Sequence, residues 1–329
     1  MRRTSQRLVA SALALLAAGV GMSAANTAWA KYPERPVTMV VPFPPGGVTD
    51  TVARPIADAL GKELGQPIVV ENKAGAGGAI GAGQAAKAKP DGYTIMLMLS
   101  SISILPEADK LLGRQAAYET TDFKPIARIT ADPTVLVVSA KSPWKTIDEF
   151  VEAARQAPGS IDYGSSGIYG SMHVPMSMLE KNAGIKMTHV PYTGAGPAVA
   201  ALLGGQVEAL STGPSSVLQH IKAGTLRPLA HWGDKPLSAL PEVPALNSAG
   251  YDVKFVQWSA LFVPKDVPAD IIQRLREATR KIAQDPAVQA KVLAAGSPIE
   301  YMDADEFQAY WDADDAVLRK AVHDIGKVE

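Results

Sequence analysis

The sequence predicts an α/β protein in two lobes, and three observations carry that expectation. Short apolar runs alternate with amphipathic segments from residue 31 onward, the order expected of strands flanked by helices. Two turn-rich stretches, Ala131-Asp132-Pro133 and PLSALPEVPALNSAGYD (236–252), read as crossings between lobes. A strand, a loop of glycine and hydroxyl residues, and a helix recur as one plan at 38–64 and again at 161–182.

Residues 1–30 carry Arg2, Arg3 and Arg7, then an apolar stretch from Leu8 to Val20, then small residues ending in Ala28-Trp29-Ala30. That is the plan of a secretory signal peptide. The apolar stretch of about 13 residues is too short to span a membrane, which takes roughly 20. Thr4-Ser5-Gln6 favours the general secretory route over the twin-arginine route. Removal of 1–30 takes away three arginines and no acid, leaving 29 basic against 33 acidic residues and a net charge near −4. A nucleic-acid partner is not expected at that charge. The chain has no cysteine, which excludes disulfides, thiolate catalysis, cysteine-based metal sites and a lipid anchor on an N-terminal cysteine.

Strands are expected at TMVV (38–41), PIVVEN (67–72), YTIMLML (93–99), IARIT (126–130) and TVLVVS (134–139). IDYG (161–164), MTHVPY (187–192), LRPLAHW (226–232) and SALFVP (259–264) follow. Helices fill the gaps. Thr146-Ile147-Asp148-Glu149 is a capping box opening TIDEFVEAARQ, with the threonine oxygen and the Glu149 carboxylate each meeting a free backbone N–H. Beyond Pro264 the chain reads as helix: PADIIQRLREATRKIAQ, DPAVQAKVLAAG and DADEFQAYWDADDAVLRKAVHDIG.

The loop PFPPGGVTD (42–50) joins a strand to a helix N-terminus. Amides there lack helical acceptors and sit in the positive potential of the helix dipole, which together make an anion site without a basic side chain. The expected donors are the amides of Gly46, Gly47, Val48 and Thr49 with the Thr49 hydroxyl, while Asp50 caps the helix or orients the loop. In 163–173 they are Ser165, Ser166 and Gly167, with Ser171 and His173 at the next helix start. One such loop is also an ordinary connection in which Gly and Ser serve turn geometry. Two of them, in different lobes, point to a shared ligand. Neither contains Lys or Arg, so the expected ligand is a carboxylate or similar polar group held by neutral donors. Four hydrogen bonds to a charged group supply roughly 6–12 kcal/mol, comparable with the roughly 8 kcal/mol of a micromolar complex.

Catalytic templates fit poorly. Gly81-Ala82-Gly83-Gln84-Ala85-Ala86 matches GxGxxA, but its strand ends too early and no ribose-binding acid follows, so a small-residue helix packed tightly on a sheet is the better reading. Ser142-Pro143-Trp144-Lys145 matches SxxK without a KTG or SDN partner. No metal spacing links the histidines at 173, 189, 220, 231 and 323, and of these only His173 sits in a candidate loop. Trp144, Trp232 and Trp258 read as packing residues, with Trp258 also placed to line a cleft.

YPERPVTMVVPFPPGGVTD, GQPIVVENKAGAGGAIGA, KPDGYTIML, IDYGSSGIYGSMH, THVPYTGAGPAVAALLGGQVE, IKAGTLRPLA and the WSALFVPKDVP segment occur in this order. Together they resemble the solute-binding receptors of tripartite tricarboxylate transporters, the Bug family. The resemblance implies a Venus-flytrap receptor of the type II periplasmic class with mainly parallel sheets. Lobe one would be 31–131 plus 253–329, and lobe two 132–252. It implies a monomer without cofactor or metal that holds a small carboxylate through backbone amides and ordered water. The gripping residues would be Gly46, Gly47, Thr49, Ser165, Ser166 and Gly167, with Ser101, Ser211, Tyr169 and Tyr192 as a selectivity wall. The receptor would deliver its ligand to a large and a small integral membrane subunit. An unanchored receptor needs an outer membrane to retain it, so the expected location is the periplasm. Two departures bear on the ligand. Glu208-Ala209-Leu210-Ser211-Thr212-Gly213 lacks the aspartate that would meet an α-ammonium, and SSISILPEAD (100–109) is more apolar than the usual stretch. The first leaves a plain mono- or dicarboxylate, or a neutral acid derivative, and the second admits an aromatic or aliphatic acid. A sensor presenting its closed form to a membrane kinase, or an exported enzyme using the same cleft, are the other readings that the sequence leaves open.

Overall fold

Val37–Val41 (β1) has the sequence VTMVV and is buried along almost its whole length, as a strand covered on both faces requires. The computed structural model describes residues 32–328; the signal peptide expected over 1–30 lies outside them. From Arg35 on, the chain folds as one unit around two sheets. The first contains β1, Ile68–Asn72 (β2), Thr94–Leu99 (β3), Phe123–Pro133 (β4), Val256–Pro264 (β10) and Met302–Asp303 (β11), in the order β11-β4-β10-β3-β1-β2. The second contains Val135–Ser139 (β5), Asp162–Ser165 (β6), Thr188–Pro191 (β7), Ala209–Thr212 (β8) and Leu226–His231 (β9), in the order β7-β6-β8-β5-β9.

Both sheets are mixed. β1 runs parallel to β2 and β3, and β6 runs parallel to β7 and β8. Parallel neighbours are joined through helices, and these are the strands that end in the glycine and hydroxyl loops. The strands that cross between sheets bring in the antiparallel pairs: β10 against β3 and β4, and β5 against β8 and β9. Only Thr134 separates β4 from β5, and the chain returns between His231 and Val256. β8 is absent from the strands read in the sequence because its four residues, ALST, are all buried and show no alternation.

The helices are Val48–Leu64 (α1), Ala79–Ala86 (α2), Ser101–Leu111 (α3), Ile147–Gln156 (α4), His173–Ala183 (α5), Ala195–Leu203 (α6), Leu218–Lys222 (α7), Ala269–Ala283 (α8), Pro286–Ala294 (α9) and Ala304–Ile325 (α10). At the start of α4 the Thr146 hydroxyl accepts from the Glu149 amide at 3.2 Å, and the Glu149 carboxylate accepts from the Lys145 amide. α8 buries Leu275, Ala278, Thr279 and Ile282, one stripe at helical spacing. Its other face offers Arg276 and Arg280 to Asp303, the N-cap of α10.

α10 packs on both parts of the fold. Phe307 and Trp311 close over Trp258 and Phe262 of β10, with Trp258–Phe307 and Phe262–Trp311 ring centroids both 5.1 Å apart. Leu318, Ala321 and Val322 at its other end join a core with Val174 and Leu179 of α5. The segment 253–329 expected in lobe one thus also reaches α5 after the second sheet's β6, through the last turns of α10. Trp258 does not line a cleft; it lies under α10 with its indole N–H donated to Asp314 at 2.7 Å.

α2 is the tightly packed small-residue helix expected from its sequence, with Gly81, Ala82, Gly83 and Ala85 buried. A Cβ at Gly81 would lie 2.6 Å from the Lys73 carbonyl oxygen and 2.8 Å from Pro42 Cα. Backbone on both sides leaves no side chain to give way. Gly81→Ala is expected to lower stability by about 1–3 kcal/mol through overpacking, read as a drop in the midpoint of thermal or urea unfolding; an unchanged midpoint would refute this account of the contact.

Candidate ligand-binding site

The loop after β1 turns into α1 at Val48, with Gly47 as an N-cap that has no side chain to offer. The first helical bond runs from the Thr51 amide to the Gly47 carbonyl at 3.0 Å. The amides of Val48 and Thr49 precede it and are capped by no side chain. The Thr49 hydroxyl is buried without a partner among the described residues. Asp50 organises this loop. Its carboxylate accepts from the Gly46 amide at 3.0 Å, from Arg54 Nε and Nη2 at 2.9 and 2.8 Å, and from Asn72 Nδ2 at 3.0 Å. Burial pushes the Asp50 carboxyl up, but the hydrogen bonds from Arg54, Gly46 and Asn72 outweigh it and hold the group below its ordinary range. Gly46 is therefore not the free donor expected from the sequence, because its one proton already goes to Asp50.

The loop after β6 spends more of its donors internally than the sequence suggested. The Gly167 amide donates to Ser165 Oγ at 3.1 Å, and Ser165 Oγ lies 2.6 Å from His189 Nε2. His173 gives its amide to the Gly170 carbonyl at 2.9 Å and accepts the Tyr169 amide on Nδ1 at 3.1 Å. Tyr169 turns away from the expected selectivity wall: its hydroxyl donates to the Gly326 carbonyl at 2.5 Å and accepts from the Val328 amide at 3.1 Å. Ser165, Gly167, Tyr169 and His173 thus shape the loop instead of presenting free groups. Ser166 does present one, a hydroxyl buried without a partner.

The remaining wall residues gather around these two loops. β1 and β3 are parallel, so Ser100 and Ser101 after β3 share an edge with 42–49. β6 and β8 are parallel, so Ser211 and Thr212 share an edge with Ser166. Ligands of open α/β sheets collect at such carboxyl edges. The hydroxyls of Ser100, Ser101 and Ser211 are buried and unpartnered, whereas Thr212 pairs with Ser216 at 2.8 Å. Tyr192 is half-buried beside the second loop and anchors it, its amide donating to the Ser165 carbonyl at 3.0 Å.

The two edges face each other. A Cβ on Gly194 would lie 2.3 Å from Pro44 Cδ, and one on Gly213 would lie 2.9 Å from Val48 Cγ2. Gln257 of β10 crosses the seam, donating from Nε2 to Ser171 Oγ at 2.7 Å with its Oε1 buried and unpartnered. The 75–78 loop also reaches the seam, since a Cβ on Gly167 would come within 3.2 Å of the Gly77 nitrogen. Gln257, Ser100 and the 75–78 loop were missed as site residues; GAGG in 75–78 was the available signal, and it was absorbed into the helix that follows.

Buried polar atoms left unpaired cost about 1–3 kcal/mol each. Among the described residues Thr49, Ser100, Ser101, Ser166, Ser211 and Gln257 all carry one at this seam, and none is Lys, Arg or His. Arg54 lies nearby but its charge is committed to Asp50. The site can therefore surround a polar guest with hydroxyls, a carboxamide and helix N-terminal amides, while contributing no formal positive charge of its own.

Residues 52–325 match the family described as tripartite tricarboxylate transporter family receptor. The chain is 36% identical to Protein BugT of Bordetella pertussis over 275 residues, 81% of this chain and 82% of that protein. It is similar in structure to the periplasmic binding protein BugD, with a TM-score of 0.84 at 32% identity, covering 89% of this chain and 98% of that one. It is equally similar to R. palustris Rpa4515 solved with adipate, with a TM-score of 0.84 at 29% identity and 89% and 98% coverage. Sequence and two-sheet fold agree, and the chain belongs to the tripartite tricarboxylate transporter receptor family, a family of periplasmic solute-binding receptors and not of enzymes.

Proposed function

We propose that this protein captures a small organic carboxylate in the periplasm and hands it to the large and small membrane subunits of a tripartite tricarboxylate-type transporter. The carrying observation is the ring of buried, unpartnered hydroxyls beside the uncapped start of α1. A carboxylate suits that ring because it accepts several hydrogen bonds at once and gains from the helix dipole. The proposed grip is the amides of Gly47, Val48 and Thr49 with the hydroxyls of Thr49 and Ser166; Ser101, Ser211 and Gln257 form the proposed selectivity wall. Residues 209–213 (ALSTG) hold no acid to meet an α-ammonium, which disfavours an amino acid, and the adipate-bound neighbour supports an aliphatic acid. In this reading lobe one (31–131 with 253 onward) and lobe two (132–252) hinge about Thr134 and the return crossing, and a single chain suffices for capture.

Adipate and a panel of related mono- and dicarboxylates test the proposal by calorimetry and thermal shift. At a hundredfold excess over Kd a true ligand should add about 2.7 kcal/mol of stability; a panel that leaves the unfolding midpoint unmoved would sink the carboxylate reading. Thr49→Val keeps the shape and removes the hydroxyl, and is expected to weaken binding by about 1.5–3 kcal/mol, seen as a higher Kd at an unchanged fold.

Asp50→Asn tests the loop organiser. The folded-state pKa of Asp50 is lowered, so its stabilising contribution is present above the ordinary value of 3.8 and is lost as pH falls through the lowered value. The variant is expected to be less stable than wild type by about 1–3 kcal/mol at neutral pH, with the gap closing in strong acid. Urea titrations at several pH values measure it, and a gap independent of pH would count against the assignment.

A further inference from the structure

His173 and His189 lie outside the seam yet touch the second ligand loop at two points. Their rings stack with centroids 4.1 Å apart, and Tyr163 lies against both, its ring 6.3 Å from His173 and 5.1 Å from His189. His173 Nδ1 accepts the Tyr169 amide, so that nitrogen carries no proton, and Nε2 faces Ser177 Oγ at 3.3 Å. Ser165 Oγ accepts the Gly167 amide and has one proton to give, with the Gly167 carbonyl at 3.1 Å and His189 Nε2 at 2.6 Å as candidate acceptors. With the proton on the nearer contact His189 Nε2 is an acceptor as well; with the proton on the Gly167 carbonyl it is a donor to Ser165 Oγ.

We propose that His173 and His189 are paired positioning residues: as neutral acceptors they hold the loop from Ser165 to His173 in the backbone shape that presents Ser166 to the ligand. This rests on the carboxylate reading for its binding readout but not for its structural one. His189 acts through Ser165 on Gly167, whose φ of +120° brings it against Gly77 across the seam. His173 acts on Tyr169, a non-glycine residue at φ +56° that L side chains adopt only when held. A proton on His173 Nδ1 sets a donor against the Tyr169 amide, and that tie is lost; a proton on His189 Nε2 turns the Ser165 hydroxyl away from the ring to the Gly167 carbonyl at 3.1 Å.

Tyr163, Glu180, Lys181, Lys320 and Asp324 line the cavity of about 800 Å³ that both rings face. Lys181 and Lys320 pair with Asp324, at 3.3 and 2.6 Å. Glu180 accepts the Met187 amide at 2.7 Å. Among the described residues no carboxylate hydrogen-bonds to either ring, so nothing favours the charged form. Burial, with the neighbouring ring, pushes His173 down to about 3, and burial pushes His189 down to about 4. Both lie below the ordinary 6.5. The stability that the neutral rings give is complete above that value and is lost progressively as pH falls from 6.5 toward 3.

Nitrogen-15 imidazole NMR of the ligand-free wild-type protein reads the rings directly. Both should be neutral at pH 6, with Nδ1 of His173 and Nε2 of His189 unprotonated; a ring titrating near 6.5, or the opposite tautomer, overturns the proposal. Adipate titrations then read the consequence. His189→Leu and His173→Leu should weaken adipate roughly tenfold, the effect of one buried hydrogen bond. His189→Gln and His173→Asn, whose carbonyl oxygens take the acceptor positions, should restore affinity to within about threefold. The double variant with Gln and Asn should also lose the acid sensitivity of binding that wild type shows. Leu variants that bind as wild type, or a double variant with the wild-type acid profile, overturn it. If wild type binds no acid in the panel, the carboxylate reading falls while the NMR result still decides the role of the rings.

Discussion

A backbone amide has one proton, and the form of this seam follows from where each proton goes. On the first loop Asp50 takes the amide of Gly46, and α1 leaves those of Val48 and Thr49 unspent. On the second loop Ser165 takes Gly167 and His173 takes Tyr169, so that loop is rigidified by its own bonds and offers a serine hydroxyl. One side therefore presents main-chain donors and the other a side-chain donor. Preorganisation of this kind lowers the ordering cost that binding must overcome.

The placement of Asp50 needs a physical reason, since an acid beside a helix start proposed to hold an anion would repel it. Arg54, one turn further along α1, meets it with two hydrogen bonds and cancels its charge. The pair orders the loop through a carboxylate without leaving net negative potential at the mouth. The rest of the seam is uncharged, and its hydroxyls can act as donor or acceptor.

Much of the fold was legible because its signals are local. Strand runs such as TIMLML, the cap at Thr146 and the two loop-to-helix turns each announce themselves within a dozen residues. What could not be read depends on distant partners. Gln257 reaches Ser171 across 86 positions, and Tyr169 is turned out of the cleft by Gly326, 157 positions away. β8 is legible only once its neighbours cover both of its faces, because four buried residues carry no period. Residue type identified which loops could bind; the spending of their donors was set by tertiary contacts.

α10 links the two sheets in a way that constrains any opening of the seam. Its 22 residues make a rod about 33 Å long, bolted to β10 by Phe307 and Trp311 and clasped to α5 through Leu318, Ala321 and Val322. A stiff rod cannot follow two bodies that rotate apart. Either its final turns let go of α5, releasing the Tyr169 clasp on the carboxyl-terminal tail, or the rod itself bends. If the two sheets hinge as proposed, the state of the cleft is recorded at the tip of the last helix, at its contact with α5.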